Sequence, residues 1–339
     1  MTAETGPSEP IRRESATRLP SRMMAIVQRR YGSAASLKLE DVKTPIPDEK
    51  SVLLKVRSAS VNGLDWRILS GRPLLIRLLM GLTRPKRSIR GVDVSGAVVA
   101  VHRPDSRFRV GDEVFGLGSG SFAEYVAADE SEITKKPDAL SFDDAATLGV
   151  AAFTALQGLR DKGRIRPGQS VAITGAGSGV GTFAVQLAKW MGARVTAVTS
   201  TENVDLLRSM GPDVVVDYQK EDFTRKPDRY AVIFDISGLR SIGALLRTLQ
   251  PGGTLVIVGG RGGFGRFILA GLRRRLLRQR VYSLIGKVNT DDLSQLGELV
   301  AQRKITPVIK RVYSLPETPQ AMAQAERHHA QGKLVIHVA

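Results

Sequence analysis

Thr174-Gly175-Ala176-Gly177-Ser178-Gly179-Val180-Gly181 is the stretch whose reading decides the fold. Residues 170–174 lead into it as a short apolar run, and residues 180–191 leave it with helical spacing. Glycines at a strand-to-helix junction let the backbone approach a pyrophosphate, and the helix start offers unpaired N–H groups and a positive dipole end. A second strand, 194–199, follows about 20 residues on, as a dinucleotide-binding βαβ unit requires. Gly175, Gly177, Ser178, Gly179, Val180 and Gly181 are therefore candidate cofactor-binding residues.

The spacing departs from strict GxGxxG, because Val180 stands where the last glycine would fall. Thr174, Gly175, Gly179 and Gly181 do match TGxxxGxG, the pattern of short-chain dehydrogenases. Two features oppose that family. As many as 173 residues precede the turn, and no tyrosine has a lysine four positions later to lower the pKa of a proton donor.

Working outward, strands are expected at 214–217, 231–235 and 254–258, with helices at 204–210, 242–249 and 293–302. Short apolar strands alternating with helices imply a parallel sheet covered on both faces. Helix formers also fill 145–159. Upstream the texture is β-like, with strands expected at 24–27, 52–56, 94–101 and 121–126 and, within 109–116, a strand approached through a Gly-Asp turn; it returns at 308–313 and 334–338. The expected plan is a disordered tail at 1–22, a β-rich domain over 23–147, a doubly wound domain over 148–304, and a return of 305–339 to the first domain.

Composition narrows the chemistry. The chain has 339 residues, a formal charge of +17, 42% apolar residues, four histidines and no cysteine. These values suit two compact domains and exclude a disulfide framework, a thiolate zinc cluster and a cysteine nucleophile. The tail lacks a secretory core and carries Glu4, Glu9 and Glu14, which argues against a transit peptide. No run of 18 uncharged apolar residues occurs. A cytoplasmic protein is expected.

The end of the second strand reads Thr199-Ser200-Thr201-Glu202-Asn203. Hydroxyls at the strand end favour NADP(H) over NAD(H), while Glu202 opposes a 2′-phosphate. Further pieces are Ala59-Ser60-Val61-Asn62-Gly63-Leu64-Asp65-Trp66, Gly91-Val92-Asp93-Val94-Ser95-Gly96, residues 109–116 and Gly332-Lys333-Leu334-Val335. With them the chain resembles the medium-chain dehydrogenase/reductase superfamily, in its zinc-independent quinone-oxidoreductase-like branch.

That resemblance implies an α/β protein with a GroES-like β-rich domain built from both chain ends and a central Rossmann domain. Where zinc-dependent relatives carry Gly-His-Glu, this chain has Gly91-Val92-Asp93, so no zinc is expected. His102, His328, His329 and His337 have no ligand-like spacing. The resemblance places Asn62 near the nicotinamide as the first choice for orienting substrate or cofactor. Asp65, three residues on, would share its face of a helical turn, where it could hold Asn62, relay a proton or simply cap a helix. It also places Thr154 near the nicotinamide amide, and Gly179 and Val180 at the pyrophosphate. Ser200, Thr201 and Tyr218 would lie about the adenosine ribose, Gly259 and Gly260 beside the nicotinamide, and Lys333 close to the cofactor. Relatives suggest a homodimer.

The charge is local. Residues 72–90 carry six cations and 261–280 carry seven, without one acid, and so hold 13 of the 17 excess charges. Both are interleaved with leucine and poor in aromatics, which argues against nucleic acid and suits a membrane surface or a greasy substrate. A solvated helix face over the cleft is the plainer alternative. The expected activity is hydride transfer from NAD(P)H to a small hydrophobic quinone or enone, chemistry that needs positioning more than a Lewis acid. Two alternatives stand beside it: a cofactor-binding peripheral membrane or nucleic-acid protein with weak catalysis, and a zinc-free alcohol dehydrogenase.

Overall fold

The computed structural model describes residues 19–72, 74–259, 279–284, 286–326 and 331–338. Most of the expected tail, Gly260, the basic run 261–278, and His328 and His329 lie outside the described residues.

Strands β1 (Arg22–Gln28) and β2 (Leu37–Lys43) form an antiparallel pair ahead of β3 (Ser51–Val61), β4 (Asp93–Val101), β5 (Glu113–Leu117), β6 (Tyr125–Asp129) and β7 (Ile133–Lys135). The middle of the chain supplies β8 (Ser170–Thr174), β9 (Arg194–Thr199), β10 (Val214–Asp217), β11 (Tyr230–Asp235), β12 (Leu249–Ile257) and β13 (Arg280–Ser283). β14 (Ile309–Ser314) and β15 (Lys333–His337) close it. The central strands make one six-stranded sheet in the order β10-β9-β8-β11-β12-β13, every pair parallel. The chain thus starts at the middle, runs to one edge and returns to fill the other half. Ligands bind such sheets at the strand C-termini where that reversal occurs, here between β8 and β11.

The second sheet runs β14-β15-β3-β4-β5-β7, with β6 also on β3. The last strand of the chain is therefore an inner strand of the sheet that the first part of the chain begins. Its antiparallel register with β3 pairs Leu334 with Val61, and β3 in turn pairs Ser60 with Asp93 of β4. Those two registers bring Lys333, Asn62 and Asp93 together from three distant parts of the sequence.

Strands β8 to β11 and the second half of β12 lie close to their expected positions, because their apolar runs stand out between turn residues. Val171, Ile173, Val195, Ala197, Val232 and Phe234 are buried in one cluster with Phe183, Ala184, Leu187 and Ala188 of the helix Gly179–Trp190. The expected turn at Gly111-Asp112 is present, closed by the Arg109 N–H on Asp112 Oδ2 (2.9 Å), and β5 starts directly after it at Glu113. Two expectations need correction. Ser121–Glu124 makes only one bridge, Ala25 to Ala123, and the paired strand begins at Tyr125. The run 145–159 is not one helix: Phe142–Ala146 and Phe153–Gln157 are separated by a wide turn in which Gly149 has ψ −122°. A β-carbon at Gly149 would collide with Asp93 Oδ1. Glycine and the broken helix together let the Val150 N–H reach that oxygen at 2.8 Å. The tertiary contact overrides helix propensity here.

The short strands β2, β7 and β13 and the helices Gly63–Ser70 and Thr318–Glu326 were not expected. β2 alternates between buried or half-buried and exposed residues too weakly to stand out, and β7 has only three residues.

Candidate active site

The glycine-rich turn follows β8 and opens the twelve-residue helix Gly179–Trp190. Ser178 caps that helix, its Oγ accepting from the Gly181 N–H at 3.1 Å. Gly175 has φ +70°, a left-handed conformation that favours glycine. A β-carbon at Gly181 would strike the carbonyl oxygens of Gly175 and Ala176, and one at Gly177 would lie 2.7 Å from the Asn203 side chain. These two glycines are thus required by packing within the turn, not solely by a ligand. At Gly179 a β-carbon would sit 2.9 Å from Lys333 Cδ. Val180 is half-buried beside it.

Thr174 ties the turn to the neighbouring strand. Its Oγ1 donates to Asp235 Oδ1 (2.6 Å) at the end of β11, and Ser237 Oγ donates to Thr174 Oγ1 (3.0 Å). These bonds hold polar groups at the ends of β8 and β11, where the strand order reverses. The first sheet meets the turn directly: the Gly332 N–H donates to Gly177 O at 2.9 Å, and Ser178 bridges to Gly332. Lys333 follows immediately and points inward, 2% exposed.

Lys333 Nζ spends all three of its hydrogens inside the protein. It donates to Asn62 Oδ1 (2.6 Å), Val61 O (3.2 Å) and Asp93 Oδ2 (3.2 Å). Lysine can only donate, so this contact fixes the Asn62 amide orientation. Asn62 Nδ2 donates to Asp93 Oδ2 at 2.8 Å, with a longer contact to Ser60 O at 3.4 Å. Ser60 Oγ donates to the same Asp93 oxygen at 2.6 Å. Asp93 is fully buried and receives four donors, the fourth being the Val150 N–H. A buried carboxylate and a buried ammonium are tolerated only when both are paired and hydrogen-bonded, as here.

Asn62 is held inside this network, and the role open to it is narrower than expected. Its amide hydrogens are committed to the protein, which leaves one lone pair on Oδ1. It can accept from a ligand N–H; it cannot donate to a substrate carbonyl. Asp65 holds Asn62 in place, Oδ2 accepting from the Asn62 N–H at 2.8 Å across the first turn of the helix Gly63–Ser70. Its other oxygen is buried without a hydrogen-bond partner among the described residues. Burial pushes the Asp65 carboxyl up to about 7; the nearby Asp93 charge adds to the rise, and the Asn62 N–H, Lys333 and Arg90 pull against it.

The other predicted residues that are described lie in or just after the helix Phe153–Gln157, β12, β9 and β10. Thr154 is 8% exposed in the helix Phe153–Gln157, and a β-carbon at Gly286 would lie 3.3 Å from its Oγ1. Gly259 follows β12, with the Arg67 guanidinium 3.4 Å from where its β-carbon would be. At the far end, Thr201 Oγ1 donates to Asp217 Oδ2 (2.6 Å), and the Asn203 amide donates to Ser200 Oγ (3.0 Å), which itself donates to Glu202 Oε1 (3.3 Å). Tyr218 packs half-buried at the end of β10, its N–H on Thr199 O. Asp93 and Ser60 were missed as site residues, although Gly91-Val92-Asp93 was singled out as the place where a histidine and a glutamate are lacking.

The basic run 72–90 also needs correction. Arg90 turns inward and is 6% exposed, and the Arg77 guanidinium lies 4.5 Å over the Tyr31 ring. Arg72, Arg84, Lys86 and Arg87 remain on the surface.

Comparison with known proteins agrees with this layout. Residues 48–138 match the alcohol dehydrogenase GroES-like domain, and residues 210–336 match the zinc-binding dehydrogenase family model. The chain is 32% identical to a 2-methylene-furan-3-one reductase of Solanum lycopersicum over 94% of its length and 80% of that protein. It is 31% identical, with the same coverage, to a chloroplastic NADPH-dependent alkenal/one oxidoreductase of Arabidopsis thaliana. The solved quinone oxidoreductase of Coxiella burnetii superposes with a TM-score of 0.86 at 30% identity, covering 94% of this chain and all of that one. A glycine-rich turn at the sheet reversal, a β-rich sheet closed by the last strand and these relatives together make the chain a member of the medium-chain dehydrogenase/reductase superfamily, in its quinone-oxidoreductase-like branch.

Proposed function

We propose that the chain is an NAD(P)H-dependent oxidoreductase that delivers hydride to a quinone or an α,β-unsaturated carbonyl compound. One observation carries this reading. The glycine-rich turn is hydrogen-bonded through Gly177 to Gly332, which sets the Lys333–Asn62–Asp93 network at the edge of the dinucleotide crevice. The turn residues Gly175–Val180 would hold the pyrophosphate, Ser200 and Thr201 the adenosine ribose, and Thr154, Gly259 and Asn62 the nicotinamide end. When bound, the reduced nicotinamide supplies hydride to an electron-poor carbon.

This chain's own residues supply position and field. Lys333 is a positioning residue: it fixes the Asn62 carbonyl and offers no spare hydrogen to a substrate. Asp93 holds Lys333 and Asn62 at once. Asp65, its carboxyl pushed up to about 7 by burial and one oxygen without a hydrogen-bond partner among the described residues, can hold a proton at the back of Asn62. Mixed with NADPH and a panel of quinones and enones, the protein is expected to consume the cofactor. Tight NADPH binding without consumption anywhere in the panel would replace this reading by that of a binding protein.

NADP(H) is the proposed cofactor. Support comes from the hydroxyls of Ser200 and Thr201 and from the printed cofactor of the Arabidopsis relative. The Glu202 carboxylate, held on Ser200 Oγ, is the feature that opposes a 2′-phosphate. Glu202→Gln is accordingly expected to tighten NADPH binding on the order of fivefold, about 1 kcal/mol of removed like-charge repulsion, with NADH unchanged. Fluorescence titration with both cofactors checks this; equal tightening of the two would remove Glu202 from the choice.

A catalytic zinc does not fit the donor set. The chain has no cysteine, and an ammonium stands 3.2 Å from the one carboxylate at the place where relatives carry ligands. A divalent cation there would face the Lys333 charge and a carboxylate already surrounded by donors. We therefore derive no step through a metal.

A further inference from the structure

Residues 74–87 are left over by the site. Leu74, Leu78 and Leu82 are 68, 61 and 66% exposed, four residues apart along the helix Leu75–Met80 and the turn after it. Leu74 and Leu78, one helical turn apart, form an exposed stripe, and Leu82 follows beyond Gly81. The turn folds back on itself. The Lys86 N–H donates to Met80 O (2.7 Å), the Gly81 N–H to Arg77 O (2.8 Å), and Tyr31 OH anchors Gly81 O (2.6 Å). Gly81 has φ +116°, and a β-carbon there would strike Arg84 O. The closed turn brings the backbone of Arg84 and Lys86, both exposed, back to the end of the helix at Met80 and Gly81.

We propose that this face, Leu74, Leu78 and Leu82 with Arg84 and Lys86, docks the protein on an anionic lipid surface. Two arguments select a bilayer. The first is charge: residues 72–90 contain no acid, and cations flanking an exposed leucine stripe match anionic headgroups above an apolar interior. The second is the absence of any aromatic residue from 72–90, which deprives a nucleic acid of a stacking platform. The docked face is joined to the site through the helix Gly63–Ser70, which starts at Asn62 and whose Leu64 is 42% exposed.

The test is co-sedimentation of the full chain with vesicles of phosphatidylglycerol and phosphatidylcholine, against phosphatidylcholine alone, over a salt series. Binding is expected only to the anionic vesicles, weakening as salt rises. R84E/K86E is expected to lower the partition coefficient at least 25-fold, at about fivefold per cation removed. L78E/L82E is expected to abolish binding, and both variants should keep the thermal midpoint, since these side chains are exposed. Binding that survives both variants, or that is equal on neutral vesicles, would overturn the assignment. So would a dimer in sedimentation velocity that L78E/L82E dissolves, because the stripe would then be a protein contact.

Discussion

Lys333→Met is expected to destabilise the protein by about 3–5 kcal/mol in urea unfolding at pH 7, because it strands a buried carboxylate. Asp93 keeps Ser60 and Asn62 as donors in that variant but loses the only cation within hydrogen-bond distance of it among the described residues. Asn62 loses the donor that fixes its carbonyl. D93N/K333M is expected to cost less than the two single changes combined, with a coupling of about 2 kcal/mol. Weaker NADPH binding should accompany K333M, since Lys333 also packs against Gly179 of the turn. A loss below about 1 kcal/mol, additive with D93N, would mean that the pair contributes neither to stability nor to placing Asn62.

The second large effect is a pH dependence set by Asp65. Its carboxyl rises from an ordinary 3.8 to about 7, chiefly through burial. A raised acid binds its proton more tightly in the folded state, so folding gains most at low pH. The gain is lost progressively from about pH 4 to pH 7 and is flat above, on the order of 4 kcal/mol in all. Asp65→Asn removes the titration while its side-chain oxygen can still accept from the Asn62 N–H. The stability of D65N relative to the unsubstituted protein is therefore expected to climb as pH rises from 4 to 8. A difference that stays constant across that range would show the carboxyl to be solvated and Asn62 to be held by other means.

Most of the parallel-sheet half was legible in the sequence. Its strands β8, β9 and β10 are short, mostly apolar runs set off by glycine, serine and aspartate, the pattern of buried parallel strands. The turn 174–181 announced itself because glycine at a strand-to-helix junction has few other uses. The first domain was less legible. A three-residue strand such as β7 carries no period, and the Gly149 break exists only to let Val150 reach an aspartate 57 residues away.

The sequence by itself determined the location of the dinucleotide turn, the return of β texture at the chain's end, and the lack of any cysteine ligand. Each is written in local spacing or composition. Only the tertiary structure decided what Asn62 can do and which cation belongs to Asp93. Lys333 and Asn62 stand 271 residues apart and meet through the antiparallel register of β15 on β3. That register is set by burial of whole strand faces, because a slip of one residue would turn every side chain of β15 to the opposite side. No spacing along the chain records it.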